Sequence, residues 1–238
     1  MGGEPMKVTL TRVTENPIRA IEEAASNCYD SEPTDDGRIM KACYKSGHHS
    51  VLEFADFTFH IEGVSRALLA QITRHRVASF AVRSQRYVKE DNFGFVTPKT
   101  IKENTDALLE YISLMEQCQH TYRHLVEYGV PAEDARFVLP NACETVLEVK
   151  MNGRELIHFM NERLCTRAQW EIRELAQKMK TEVIKHSEQC AEFAKMLRPK
   201  CQANAPFNFC TEHNCCGAAP KLKDVYGAYQ SSGGENNG

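Results

Sequence analysis

The chain has 238 residues, 42% of them hydrophobic and 26% charged, with a formal net charge of −3. That is ordinary globular composition with enough apolar content for a real core, and the near-neutral balance excludes a polybasic nucleic-acid or membrane-surface binder. No apolar run approaches the ~20 residues needed to cross a bilayer, and the opening MGGEPMKVTL lacks the basic-then-apolar pattern of a leader, so a cytoplasmic protein without membrane contact is expected.

Residues 6–13 alternate and predict a strand, and 17–27 predict a short helix followed by Cys28-Tyr29-Asp30. Residues 37–46 read as a helix with Gly47 as its C-cap. Residues 54–62 alternate with aromatics on one side, as a strand does, and 63–77 read as a helix with Leu68 and Ile72 in its apolar stripe. A loop and extended segment then runs to Thr97-Pro98. Residues 104–128 have strong helical periodicity through Leu108, Tyr111, Ile112, Met115, Cys118, Tyr122 and Leu125, ended by Gly129 and Pro131. One or two turns at 132–138 precede a strand at 143–151. Asn152 suits the N-cap of a helix reaching Cys165, and a long helix covers 168–197. The expected fold is α+β, a helix-dominated single domain over 1–197 with a small, mostly antiparallel sheet. Residues 198–238, rich in Pro, Asn, Cys and Gly and ending in SSGGENNG, form a Cys-rich and partly disordered tail.

Ten cysteines are many for such a chain. Six scatter through the body, while Cys201, Cys210, Cys215 and Cys216 fall in the tail with His213. The tail spacing C-x8-C-x2-H-x-C-C matches no finger with paired C-x2-C knuckles, so reduced thiols and no metal are the expectation, with a zinc or redox site as the alternative.

Segment 63–88 is the most informative. It holds Arg66, Arg74, Arg76, Arg83 and Arg86 and no Lys, Asp or Glu, where about three or four acids are expected for its length. Arginine used to the exclusion of lysine favours bidentate recognition of phosphate or carboxylate. Gln71, Arg74 and His75 are spaced to share a helical face, and Ser84, Gln85 and Arg86 follow. Asn152, Arg154, His158 and Asn161 share a second helical face, with Arg163 nearby. Arg136 sits in an apolar stretch that demands an anionic partner. Gly47-His48-His49-Ser50-Val51-Leu52-Glu53 adds imidazoles, a hydroxyl and a carboxylate on a loop. A solvated basic helix end or a nucleic-acid patch are the plainer readings of the same residues, the second disfavoured by the net charge.

Together these segments resemble the flavin-dependent thymidylate synthases. The family's signature, R-H-R followed after seven residues by S, reads here Arg74-His75-Arg76 … Ser84, extended to Ser84-Gln85-Arg86-Tyr87. Cys28-Tyr29-Asp30, Ser46 to Glu53, Gly129-Val130-Pro131 with 135–140, and Asn152-Gly153-Arg154 leading to Arg163 and Ala168-Gln169-Trp170-Glu171 match in order, covering 6–197. The resemblance implies reductive methylation of dUMP to dTMP with methylenetetrahydrofolate as carbon donor and NADPH as reductant. It also implies non-covalent FAD and a homotetramer whose active sites are shared between subunits. Carried over, His48, Ser50, Arg74, His75, Arg76, Asn152, Arg154 and His158 hold FAD. Gln71, Arg74, Ser84, Gln85, Arg86 and Arg136 hold dUMP, chiefly by its phosphate, and Arg163 faces the uracil as the catalytic residue. Two positions depart from the family pattern. Ala81-Val82 stand where a polar pair is usual, and His158 replaces an amide found in some members. The alternative is a flavin- or nucleotide-binding protein without synthase activity.

Overall fold

The computed structural model describes residues 5–29, 31–203 and 208–232. Asp30 and the expected disordered end at 233–238 lie outside the described residues. The chain divides into two compact units, Met1–Thr11 with Thr58–Lys150, and Arg12–Phe57 with Met151–Gly238. The fold is helix-dominated α+β, with one four-stranded antiparallel sheet in the order β1-β2-β4-β3: β1 Lys7–Val13, β2 Asp56–Ser65, β3 Ser79–Val82 and β4 Glu144–Asn152.

The first unit holds most of the sheet. Alternation works as expected in β2 and β4, where every second residue is buried, among them Phe59, Ile61, Leu147 and Val149. On the opposite side of the strands, His60 Nδ1 meets Glu148 Oε1 at 2.6 Å as a cross-strand pair. Helix α3 (Arg66–Ile72) is shorter than the helix expected over 63–77. β2 runs on through Gly63 and Val64, and Ser65 Oγ then accepts from Leu68 N at 3.0 Å, fixing the helix start. The expected loop after it contains β3, which pairs antiparallel with β4, Ala81 opposite Glu148 and Val82 opposite Leu147. Four residues are too few for alternation to register against background. Helix α4 (Lys99–Lys102) leads to α5 (Thr105–Glu127), the helix the periodicity predicts, which Asn104 caps by accepting from Ala107 N. Its apolar face covers a core of Phe93, Phe95, Met115 and Cys143, with Tyr111 edge-on to Phe95. Tyr122 is fully buried and its hydroxyl accepts from Glu90 N at 3.2 Å. Helix α6 (Ala132–Ala135) and a 3-10 turn at Arg136–Val138 complete the unit.

The second unit is helical. α1 (Pro17–Tyr29) packs on α2 (Arg38–Lys45) and on a 3-10 turn at His49–Phe54, which in turn packs on α7 (Gly153–Arg163). The long helix expected over 168–197 is interrupted. α8 (Trp170–His186) stops at Ser187, which is fully extended, and Ser187 Oγ then caps α9 (Glu188–Phe193) through Cys190 N at 3.1 Å. The serine is both breaker and cap, so the apolar pattern runs on while the backbone does not. Helix α10 (Leu222–Ser232) has no counterpart in the sequence reading. Among the described residues no helix is long and apolar enough to cross a membrane.

Helix α2 begins at Gly37, which has no side chain to cap it and a φ of 79°. Glu22, fully buried on α1, supplies the cap from outside: Oε1 accepts from Ile39 N (3.1 Å) and Met40 N (3.4 Å). Its Oε2 accepts from Thr34 N, Thr34 Oγ1 and Asp35 N at 2.7–2.8 Å. One carboxylate thus sets both the 34–35 turn and the start of α2. Glu22→Ala strands these donors and is expected to cost about 2–4 kcal/mol. A fall in the urea midpoint at unchanged slope checks it; a change within about 0.5 kcal/mol contradicts it.

Candidate active site

The candidate residues fall into two sets, one in each unit. In the first unit, Gln71 occupies the last turn of α3, but Arg74 and His75 lie beyond the helix. The expectation of one continuous helical face for the three is therefore corrected: Thr73 ends the helix, its hydroxyl bonding back to Leu69 O at 2.9 Å. One further turn keeps Arg74 close, its N–H donating to Gln71 O at 3.3 Å. His75 is buried, while Arg74 and Arg76 on either side are exposed and, among the described residues, carry no ion pair.

The other arginines of 63–88 find counter-charge outside the segment. Arg83 Nε meets Glu90 Oε1 at 3.2 Å, and Arg66 Nη2 donates to Arg83 O at 2.8 Å. Glu90 is only 6% exposed, and burial raises its proton affinity while Arg83 and Arg66 oppose that. Burial likewise lowers the proton affinity of Arg66. Glu90 is thus a buried acid faced by two arginines, of which Arg83 keeps 42% of its side chain in solvent. Arg86 differs: Nε and Nη2 both reach Glu133 Oε2, at 3.0 and 2.9 Å, with half of each side chain in solvent. Arg136 Nε donates to the carbonyl of the same Glu133 at 3.0 Å. Arg86 and Arg136 thus both reach Glu133, the first at its carboxylate and the second at its carbonyl. An exposed pair of this kind is worth about 0–1 kcal/mol, so an incoming anion can displace the Glu133 carboxylate cheaply.

Ser84 Oγ accepts from Arg86 N at 3.3 Å, and the Gln85 amide donates to Cys143 Sγ at 3.7 Å. Among the described residues, Cys143 is the thiol touching this set. Burial is the main cause that pushes it up to about 12, so it stays protonated and is no nucleophile.

In the second unit, the loop 47–53 and the start of α7 come together. His49 stacks on Tyr44 at 5.2 Å and meets Tyr44 O through Nε2 at 3.1 Å, which makes it structural. His48 and Ser50 stay exposed. Asn152 Oδ1 caps α7 through Glu155 N at 2.9 Å. Arg154 Nη1 pairs with Glu53 Oε1 at 2.7 Å, again with about half of each side chain in solvent. His158 is exposed one turn further along. Arg154, the helix N-terminus and exposed hydroxyl and imidazole groups form a surface suited to a phosphorylated ligand.

Arg163 does not join that surface. It ends α7, nine positions from Arg154, so it lies about 14 Å along the axis and half a turn round the helix. It is half-buried, and burial lowers its proton affinity against the pull of Glu162. It lines a cavity of about 270 Å³ with Asn161, Cys165, Arg167, Cys201 and Cys210.

Sequence reasoning missed Glu133, which pairs with Arg86 across 47 positions and leaves no local pattern, and Glu90, which pairs with Arg83 from just beyond the 63–88 segment. Glu53 stood inside the quoted loop, but nothing in the spacing tied it to Arg154. The unit of sequence after Arg163 has a local reason: Gln169 caps α8 by accepting from Glu171 N and Ile172 N at 3.0 and 3.2 Å.

Residues 9–187 match the family model described as thymidylate synthase complementing protein. The chain is 47% identical over 186 residues to a flavin-dependent thymidylate synthase of Geobacter sulfurreducens, covering 73% of this chain and 80% of that one. It is 35% identical over 255 residues to the Clostridium tetani enzyme of the same description, covering 95% of this chain and all of that one, so the likeness extends into the last forty residues. A solved structure of the Helicobacter pylori flavin-dependent thymidylate synthase, complexed with FAD and dUMP, superposes with a TM-score of 0.67 at 23% identity. It covers 81% of this chain and 100% of that one, and shares its fold. The chain belongs to the flavin-dependent thymidylate synthase family.

Proposed function

We propose that this chain converts dUMP to dTMP by reductive methylation, with methylenetetrahydrofolate as carbon donor, NADPH as reductant and non-covalently held FAD, and that Arg163 is its catalytic residue. Residues 1–197 make the synthase domain in this reading and 198–238 an appended segment, working in the cytoplasm. The observation that carries the assignment is the sorting of arginines by their counter-ions. Arg66 and Arg83 already face the buried Glu90, although Arg83 itself stays 42% exposed. Among the described residues, Arg74 and Arg76 are exposed without an ion pair, and Arg86 and Arg154 pair with solvent-exposed acids. Four guanidinium groups are thus available to anions, which suits one pyrophosphate and one monophosphate.

Arg74, His75, Arg76, His48, Ser50, Asn152, Arg154 and His158 are assigned to FAD. The exposed cations and the capped N-terminus of α7 fit its pyrophosphate. Bound FAD supplies the redox chemistry of the reaction. Arg86 and Arg136 take the dUMP phosphate in place of Glu133, with Ser84, Gln85, Gln71 and Arg74 fixing the nucleotide. Arg163 holds negative charge at uracil N3, which makes C5 a better nucleophile; its partial burial strengthens that interaction. No enzyme thiol is needed, in keeping with the protonated state of Cys143. Within α7, Arg163 faces away from the Arg154 surface. That supports a homotetramer in which each active site draws residues from more than one subunit.

Ala81-Val82, where relatives of this family usually place a polar pair, lies in β3 paired with β4. Backbone contacts are what this segment can offer a ligand at those positions.

Arg163→Ala is expected to abolish dTMP formation while the purified protein keeps its flavin absorption; near-normal turnover sinks the assignment. Arg86→Ala is expected to raise the dissociation constant of dUMP about 10-fold or more while leaving deoxyuridine nearly unchanged, because the phosphate contact alone is lost. Calorimetric titration with both ligands reads the difference, and equal losses contradict it.

A further inference from the structure

A cavity of about 360 Å³ in the second unit holds none of the residues assigned above. Lys41, Tyr44 and Lys45 form one wall, three and four positions apart on a single face of α2. Another wall comes from the end of α9 and the 3-10 turn Ala194–Met196 that follows it, through Glu192, Lys195, Met196 and Arg198.

Charge is the first feature that sets its chemistry. Four cations and a single acid line the cavity, in a chain whose net charge is −3. Glu192 is already engaged, pairing with Lys41 and, at 2.5 Å, with Lys195. Among the described residues, Lys45 and Arg198 are exposed and carry no ion pair. Arg198 Nε donates to Lys195 O at 2.6 Å, and Lys180 Nζ on α8 donates to Leu197 O at 2.7 Å. The guanidinium is thus fixed to the turn, and the turn to α8. Apolar surface is the second feature. Met196 is buried, Tyr44 is half-buried, and the lysine stems add hydrocarbon. Tyr44 stacks on His49 with ring centroids 5.2 Å apart, which fixes the plane of its ring. Burial pushes the Tyr44 phenol up while Arg198 opposes it, so the hydroxyl stays protonated and can donate to an anion.

We propose that this cavity binds a flat aromatic molecule carrying an oxyanion, a phosphate or carboxylate group, with its ring against Tyr44 and Met196 and its anion among Lys45, Lys195 and Arg198. An inorganic anion alone would leave the apolar wall wet, and an uncharged ring would leave the cations unanswered. The volume lies at the small end of ligand pockets, which suits one ring system with its anionic group. The site shares no residue with the arginine surfaces assigned to FAD and dUMP, so either reading can fail without the other.

Pyridoxal phosphate is itself an aromatic phosphate, and it forms an imine with a lysine in reach that borohydride then fixes. The full-length chain, supplied with excess FAD and dUMP, is treated briefly with it and the modified lysines are mapped by peptide mass. Lys45 and Lys195 are expected to react about 10-fold faster than Lys99, although the Lys99 side chain is 85% exposed. Labelling in which Lys99 keeps pace overturns the proposal. Adenosine monophosphate and folic acid present the phosphate and the carboxylate forms of the ligand. At least one is expected to slow labelling at Lys45 and Lys195 about 5-fold or more, and the one that protects identifies the anion. Protection by neither, or equal protection by inorganic phosphate, overturns it. Arg198→Ala is expected to remove the protection and Arg86→Ala to keep it. Protection that survives Arg198→Ala, or that Arg86→Ala removes, overturns the site.

Discussion

The close approach at Gly153 is the constraint on which the second unit's ligand surface depends. A Cβ there would sit 2.6 Å from Leu52 O and 3.1 Å from the Phe193 ring, so only glycine lets α7 start where it does. Gly153 N in turn donates to Ala55 O at 2.7 Å, and the neighbouring Asn152 caps the helix. These contacts lock the end of β4 onto the 3-10 turn at His49–Phe54. The turn can then present Glu53 to Arg154 and leave His48 and Ser50 in solvent. A side chain at Gly153 would have to push backbone apart, at a cost of about 1–3 kcal/mol for overpacking, and would displace the helix N-terminus with it. A family motif that reads as three polar or small residues, Asn152-Gly153-Arg154, is thus a cap, a gap and a cation, each with a separate physical task.

Burial of the counter-ion decides what each arginine is for. Charge counting along 63–88 finds five cations and no acid, and treats them alike. The structure separates them by energy. Glu90 is buried, so removing Arg83 would leave that carboxylate with Arg66 alone to oppose its burial, at a cost tempered by the partial exposure of Arg83. Glu133 and Glu53 are half in water, and their pairs with Arg86 and Arg154 are worth about 0–1 kcal/mol. Acids exposed in this way hold the guanidinium forks in place and cost little to displace, which is what the proposed phosphate sites require. The family motif marks Arg86 and passes over Arg83, which agrees with this division.

Much of the fold was legible in the sequence because it rests on long periodic signals and local caps. α5, with its stripe from Leu108 to Leu125, and the Asn152 cap are of this kind. β3 was not legible, since four residues cannot establish a period and its pairing partner lies more than sixty positions away. The break at Ser187 was hidden by apolar residues that continue on both sides of it. For the site, the motif residues were readable, but the face each one occupies was not. Arg163 reads as a neighbour of Arg154 in the sequence and points the opposite way in the helix. The cysteine excess follows the same logic: Cys201 and Cys210 look patternless in the sequence, while tertiary structure lines one cavity with them and Cys165.

The account makes the arginines, and no thiol, the working groups of a synthase. Release of tritium from C5-labelled dUMP by the purified protein tests that claim most directly, because the label leaves only when the C5–H bond is broken. The account predicts release, with matching dTMP formation, that requires methylenetetrahydrofolate and NADPH together. Protein that holds FAD and dUMP yet releases no tritium with both co-substrates present would contradict it and leave a binding protein in its place.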